Sequence, residues 1–171
     1  MIKEIKHFTL DSERLKICPI ELKDADFILK LFNTEGWLQF IGDRNIRTVH
    51  DAENFIKNAL VNDHAALWIV NLLQLKKSIG LITLIKREYL NYPDVGYALM
   101  PNEMGRGYST EATQAVINKI KFGNYLEKLN AITLRNNSAS INLLKRLSFK
   151  FDKEIEANEE TLHLYQLEFA T

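Results

Sequence analysis

Apolar and polar positions alternate with two different periods along this chain, and the points where the period switches mark its elements. Leu15 to Ile20 alternates and closes at a proline, which reads as an early strand at a sheet edge. From Leu22 to Phe32 the apolar residues Leu22, Ala25, Phe27, Ile28, Leu31 and Phe32 return at helical spacing with charges between them, so an amphipathic helix follows. Asn33 to Arg47 breaks that period and mixes Trp37, Phe40 and Gly42 with polar groups. It is expected to be a loop, serving either the substrate side or plain connection. Thr48 then caps a helix over Val49 to Val61, with Asp51 placed for a near capping box and Ala52, Phe55, Ile56, Ala59 and Leu60 turned inward.

Two β-rich runs, Ala66 to Leu73 and Ser78 to Ile85, form a predicted antiparallel hairpin in which Gly80 marks a bulge. A third strand, Asp94 to Met100, meets Pro101, which has no N–H to continue a ladder. The helix predicted over Gly107 to Phe122 turns Ala112, Ala115, Val116 and Ile120 to the core and stops at Gly123. Lys128 to Leu134 is a strand and Ser138 to Leu147 a short helix. Phe149 to Ile155 and Thr161 to Phe169 are a last strand pair, turning through Ala157-Asn158-Glu159-Glu160. Strand clusters interrupted by helices at the start, the middle and near the end predict an α/β fold of the mixed α+β kind, a mixed sheet with helices on its faces.

Composition narrows the picture. A chain of 171 residues with 46% hydrophobic positions suits a single domain over residues 1–171. Lys plus Arg and Asp plus Glu both number 22, so the general electrostatic drive toward nucleic acid is missing. No stretch reaches the roughly 18 apolar residues of a membrane span, and the first residues lack a signal-peptide core, so a cytoplasmic protein without a membrane partner is expected. Cys18 is the one cysteine, which excludes an internal disulfide and a multi-cysteine zinc site; inside an apolar strand it reads as structural. His7, His50, His64 and His163 have no metal-ligand spacing, and no metal is expected.

The candidate chemistry starts at Asn102 to Ala112, between a strand and a helix. Gly105 and Gly107 permit φ > 0 and a close backbone approach. The first N–H groups of the following helix have no intrahelical partner, and the helix dipole favours an anion there. Arg106 adds positive charge. An ordinary glycine turn is the alternative for these residues taken alone. A phosphate-loop nucleotidase is not indicated, because Gly-Arg-Gly-Tyr-Ser-Thr lacks the required spacing and lysine.

Three separated segments resemble the GNAT superfamily of N-acetyltransferases, within it the RimJ/RimL-like group. Asp94-Val95-Gly96-Tyr97-Ala98-Leu99-Met100-Pro101 is similar to the family's acidic-apolar-Gly-Tyr strand. Asn102 to Tyr108 resembles Gln/Arg-x-x-Gly-x-Gly/Ala, and Tyr108-Ser109-Thr110-Glu111-Ala112 is close to Tyr-Ala-Thr-Glu-Ala. Asn137 to Phe149 resembles an Asn-x-x-Ser helix closing in Leu-Gly-Phe. An early segment, Ser12-Glu13-Arg14-Leu15, matches the group's Thr-Glu-Arg-Leu opening. The chain departs from the pattern at Asn102, Met104, Cys18 and Ser148, the last in place of a turn glycine.

The resemblance implies a GNAT-type fold, a mostly antiparallel twisted sheet of about six or seven strands with helices on both faces. It implies acetyl-CoA as cofactor, held through Gly105, Arg106, Gly107, Tyr108, Ser109 and Thr110 at the pyrophosphate, through backbone at Tyr97, Leu99 and Met100 along the pantetheine, and through Asn137, whose other role is a helix cap. It implies direct transfer to a primary amine, a small molecule or a protein N-terminus; the oligomeric state stays open between monomer and homodimer. Asp94 is the first candidate base, directly or through water, with Glu154 and Glu156 as alternatives; Ser140 matches a serine that protonates the leaving thiolate. The other class is a non-catalytic acyl-CoA-binding module, favoured where Asp94 is buried in a salt bridge.

Overall fold

Eight strands stand in one sheet in the order β1-β2-β3-β4-β5-β6-β8-β7. In this computed structural model the described residues are 2–157 and 160–169. The strands are β1 (Leu10–Asp11), β2 (Leu15–Pro19), β3 (Ala65–Leu72), β4 (Lys77–Ile85), β5 (Asp94–Leu99), β6 (Lys128–Leu134), β7 (Lys150–Ala157) and β8 (Glu160–Glu168). The helices are α1 (Ile2–Ile5), α2 (Ala25–Phe32), α3 (Glu35–Phe40), α4 (Val49–Val61), α5 (Tyr108–Phe122) and α6 (Ser138–Arg146). Every neighbouring pair is antiparallel except β5 and β6. The sheet is the expected mixed, mostly antiparallel one, but the two-residue β1 pairs outside β2, so β2 is one strand in from the edge where the sequence had placed it.

Two apolar layers sandwich the sheet. The strong helical period of α2 and α4 buries Ile28, Leu31, Phe32 and Ile56 on one face, against Leu67, Ile69 and Leu81. On the other face Val116, Ile117 and Ile120 of α5 and Leu144 of α6 pack with Trp68, Val70 and Ile82. Strand β3 feeds both layers through its alternation, which explains why it reads as an almost unbroken apolar run.

Three expectations need correction. Asn33 to Arg47 is not all loop: Thr34 caps α3, its Oγ1 accepting from the Trp37 N–H at 3.4 Å, and Trp37 stacks on Phe32 with ring centroids 3.8 Å apart. Six residues interrupted by Gly36 are too few to display a period, and tertiary stacking holds the helix in place of propensity. Leu60 faces outward, 41% exposed. The bulge lies beside Gly80, at Ile79, where the register passes from Val70↔Gly80 to Asn71↔Ser78. Thr48 caps α4 with the full reciprocal box to Asp51. In the expected last turn, Asn158 and Glu159 lie outside the described residues.

The feature that positions the site is the seam between β5 and β6. One ladder pair, Asp94↔Asn130, joins them. Asn130 pins that point: its N–H donates to Pro93 O at 2.8 Å, its Nδ2 to Tyr92 O at 2.9 Å, and its Oδ1 accepts from Gln166 Nε2 at 3.1 Å. Beyond it the strand edges carry no further ladder pair, and both line a cavity.

Candidate active site

The cavity has a volume of about 900 Å³ and follows the seam from the elbow after β5 toward the loop before it. At the elbow, Gly105 and Gly107 take φ of +76° and +80°, conformations costly for residues with a Cβ. Helix α5 begins its own bonding when the Glu111 N–H donates to Gly107 O at 3.0 Å, so the N–H groups before Glu111 lie outside the helical ladder. Gly105, Gly107, Tyr108, Ser109 and Thr110 all line the cavity.

The elbow is clamped from behind by a residue that sequence reasoning quoted without assigning it a role. Arg14 donates through Nε to Glu111 Oε2 at 2.7 Å and through Nη1 to the Arg106 carbonyl at 3.1 Å, and its guanidinium lies 4.6 Å from the centroid of the Tyr108 ring. Ser12 Oγ and the Arg14 N–H both donate to Glu111 Oε1, at 2.7 and 2.8 Å. Burial works against the Glu111 charge, but the bonds from Ser12 and Arg14 outweigh it and hold the carboxyl below its ordinary value. The signal was present as two motifs 97 residues apart, and only the fold makes them one contact.

Two expected cofactor residues have protein partners. Arg106 Nη1 turns to Glu103 Oε2 at 3.5 Å, and Arg106 is not among the residues lining the cavity. Both backbone groups of Met100 are committed: its N–H donates to Ile79 O at 2.8 Å and its carbonyl accepts from the Glu103 N–H at 2.9 Å. The expectation of a free backbone edge at Met100 is therefore corrected. An antiparallel strand directs alternate backbone groups to opposite neighbours, so bonding of Met100 to β4 turns the Tyr97 and Leu99 backbone toward the seam.

Side chains alternate across β5 as well. Ala98 and Met100 pack with the α2–α4 layer, which puts Gly96 and Asp94 on that face; Val95, Tyr97 and Leu99 belong to the α5–α6 face. On the α5–α6 face, Tyr97 Oη lies 2.8 Å from Ser140 Oγ and 3.2 Å from Ser140 O. Burial pushes the Tyr97 phenol up to about 12, with the Ser140 bond working in the opposite direction. Asn137 caps α6, its Oδ1 accepting from the Ser140 N–H at 3.1 Å, and it also lines the cavity.

On the α2–α4 face, Asp94 is 3% exposed and held by the fork of Arg87, Nε to Oδ1 at 2.6 Å and Nη2 to Oδ2 at 3.3 Å. Burial pushes the Asp94 carboxyl above its usual range, with Arg87 opposing. Burial also disfavours the Arg87 charge, but Asp94 and the Tyr89 hydroxyl outweigh it and hold the guanidinium above its ordinary value. Arg87, at the start of the β4–β5 loop, had not been paired with Asp94 in the sequence reading. Thr83, whose Oγ1 would lie 2.6 Å from a Cβ added at Gly96, had no role there. Of the alternative bases, Glu154 pairs with His163 Nε2 at 3.2 Å and Glu156 accepts from Thr161 Oγ1 at 2.6 Å; neither lines the cavity. Among the described residues no group of three or more His, Cys, Asp or Glu is placed to hold a metal, and no helix is long and apolar enough to cross a membrane.

Comparison with known proteins gives this geometry a family. Residues 14–150 match the family model described as the acetyltransferase (GNAT) domain. The uncharacterized N-acetyltransferase p20 of Bacillus licheniformis is 27% identical over 149 residues, covering 83% of this chain and 82% of that protein. The ribosomal-protein-S5-alanine acetyltransferase of Vibrio fischeri superposes with a TM-score of 0.81 at 19% identity, covering 95% of this chain and 97% of the other. The ribosomal L7/L12 α-N-protein acetyltransferase RimL, solved with coenzyme A, has a TM-score of 0.83 at 14% identity, covering 95% and 98%. At such identities the superpositions establish a shared fold.

Proposed function

This chain belongs to the GNAT acetyltransferase family, and from that premise we propose that it moves acetyl from acetyl-CoA directly to a primary amine without an acyl-enzyme. The observation that carries the reading is the seam itself. It joins a positive-φ elbow, with helix N–H groups outside the ladder, to a strand edge with candidate proton-handling groups on its two faces, Asp94 on one and Ser140 with Tyr97 on the other.

The chain's residues fit the cofactor. Gly105 and Gly107 keep Cβ atoms off the cradle, and the N–H groups of the first turn of α5, with its dipole, receive the pyrophosphate. Tyr97 and Leu99 offer the backbone edge to an amide-bearing arm, and Asn137 supports it from the start of α6. When bound, acetyl-CoA supplies an acyl thioester activated toward amines. Asp94 accepts a proton from the amine, directly or through water, on the α2–α4 face, and its burial favours proton uptake. Ser140, held by Tyr97, is the proton donor on the opposite face. No cysteine or histidine nucleophile is required, and direct attack needs these two groups only. The likeness to ribosomal-protein acetyltransferases makes a protein N-terminus one candidate acceptor, beside a small amine.

A second reading rests on the Asp94–Arg87 pair. A carboxylate with both oxygens on a guanidinium suits a non-catalytic acyl-CoA-binding module, in which the pair serves structure. Thiol release from acetyl-CoA, followed over pH against a panel of amines and N-terminal peptides, separates the two. Asp94→Asn is expected to lower kcat on the order of 100-fold and to remove the fall in rate toward acid pH, with coenzyme A affinity nearly unchanged. An unaltered pH profile in that variant would move the base elsewhere, and no release with any amine would leave the binding module.

A further inference from the structure

The half of the cavity away from the elbow and the Tyr97–Leu99 edge has a composition of its own. It lies on the α2–α4 face, where Phe32, Trp37, Phe40 and Phe55 line it together with Tyr89 of the β4–β5 loop. The wall is rigid at its base: Trp37 stacks on Phe32, Phe55 meets the same ring edge-on at 4.9 Å, and Trp37 Nε1 donates to Gly42 O at 3.1 Å. Its charges are unbalanced. Among the described lining residues the carboxylates are Asp94, already held by Arg87, and Glu160, which begins β8 at the other end of the seam. Arg44 lines the cavity from the segment that follows α3, is exposed, and makes no ion pair with a described residue.

A polyamine or aminoglycoside carries several ammonium groups within a few ångströms of one another. Each needs a carboxylate or a ring of acceptors in a partly desolvated site, and a cation left beside Arg44 is repelled. A single amine on an aromatic or branched apolar body makes neither demand: its body covers the ring wall, and its one nitrogen reaches toward Asp94 past Gly96, whose missing Cβ leaves the room that Thr83 Oγ1 fills, a hydroxyl with no described hydrogen-bond partner. We infer that the acceptor is a monoamine carried by an apolar, aromatic-sized body, seated on the α2–α4 wall with its nitrogen between Thr83 and Asp94, and that polycations are excluded. This deepens the proposed acetyl transfer and rests on it.

The test is calorimetric titration of the full chain with phenethylamine, with a short peptide beginning in phenylalanine and with spermidine, each with and without saturating coenzyme A. Either aromatic amine is expected to bind at least about 10-fold tighter than spermidine; which of the two does so tells a free amine from a protein N-terminus. Thr83→Val, nearly isosteric, is expected to weaken that binding several-fold and to leave coenzyme A binding unchanged. Arg44→Glu, a surface change, is expected to narrow the gap to spermidine. Spermidine bound as tightly as the aromatic amines, no aromatic amine bound at all, or a ranking untouched by both variants would overturn the inference. Failure of coenzyme A itself to bind in the same titrations would instead overturn the proposed acetyl transfer.

Discussion

Tyr97 shows how one side chain changes meaning between sequence and structure. Its motif placed it on the strand that carries the cofactor edge, yet its hydroxyl crosses to α6 and meets Ser140 Oγ at 2.8 Å. With its phenol pushed up to about 12, Tyr97 stays protonated at working pH and acts on Ser140 as a fixed dipole. Tyr97→Phe is expected to lower kcat about 10-fold, without adding a new pH limb and without changing the thermal shift caused by coenzyme A. A wild-type kcat in that variant would remove Tyr97 from the mechanism. Ser148 is a second case. It occupies the turn where the family pattern has glycine, and its φ is +67°. Its N–H donates to Lys145 O and that of Phe149 to Leu144 O, both at 3.0 Å, which closes α6 by the left-handed cap that glycine favours. Ser148→Gly relieves that conformation but loosens the unfolded chain, for a net gain of roughly 0.5 kcal/mol in urea unfolding. A loss of stability would mean that the serine hydroxyl supports the cap.

At the scale of elements, the elbow between β5 and α5 is tied to the β1–β2 turn through Ser12 and Arg14. Glycine spacing made its positive φ and its bare N–H groups legible, because both follow from residue type and from the start of a helix. The Arg14–Glu111 clamp was not legible, since no local rule connects positions 97 apart. The Glu111 carboxyl lies below its ordinary value of 4.5, so its stabilising contribution is present above that pH and is lost as pH falls through the lower folded-state value. Glu111→Gln is expected to cost about 1 kcal/mol near neutrality, a modest figure because Arg14 is partly exposed. The difference from wild type should close on acidification in urea titrations at several pH values. A difference independent of pH would assign the loss to packing. Element α3 was illegible for another reason: six residues show no period, and Phe32 stacking holds it.

At the scale of the whole molecule, the sheet is two antiparallel halves joined at Asp94↔Asn130, and the cavity opens where they cease to pair. A ligand seated there contacts both halves, so binding should stabilise the chain as a unit. Coenzyme A at about 100 times its Kd should add about 2.7 kcal/mol and raise Tm by about 5–10 °C. Gly107→Glu, which puts bulk and negative charge in the cradle, is expected to abolish the shift; a shift retained in that variant would count against the elbow as the phosphate site.

By itself, the sequence determined what rests on short-range rules. These are the alternation of strands and helices, the caps at Thr48 and Asn137, the positive-φ elbow at Gly105 and Gly107, and the order of motifs that marks a GNAT chain. Each depends on residue type within a few positions, where steric limits and backbone bonding act directly. The tertiary structure alone decided that Arg87 holds Asp94, that Arg14 clamps the elbow, that Met100 has no free backbone edge and that aromatic rings with Arg44 form the wall opposite α5. Those contacts join residues from different elements, and only the packing of two helical layers on one sheet brings them within reach.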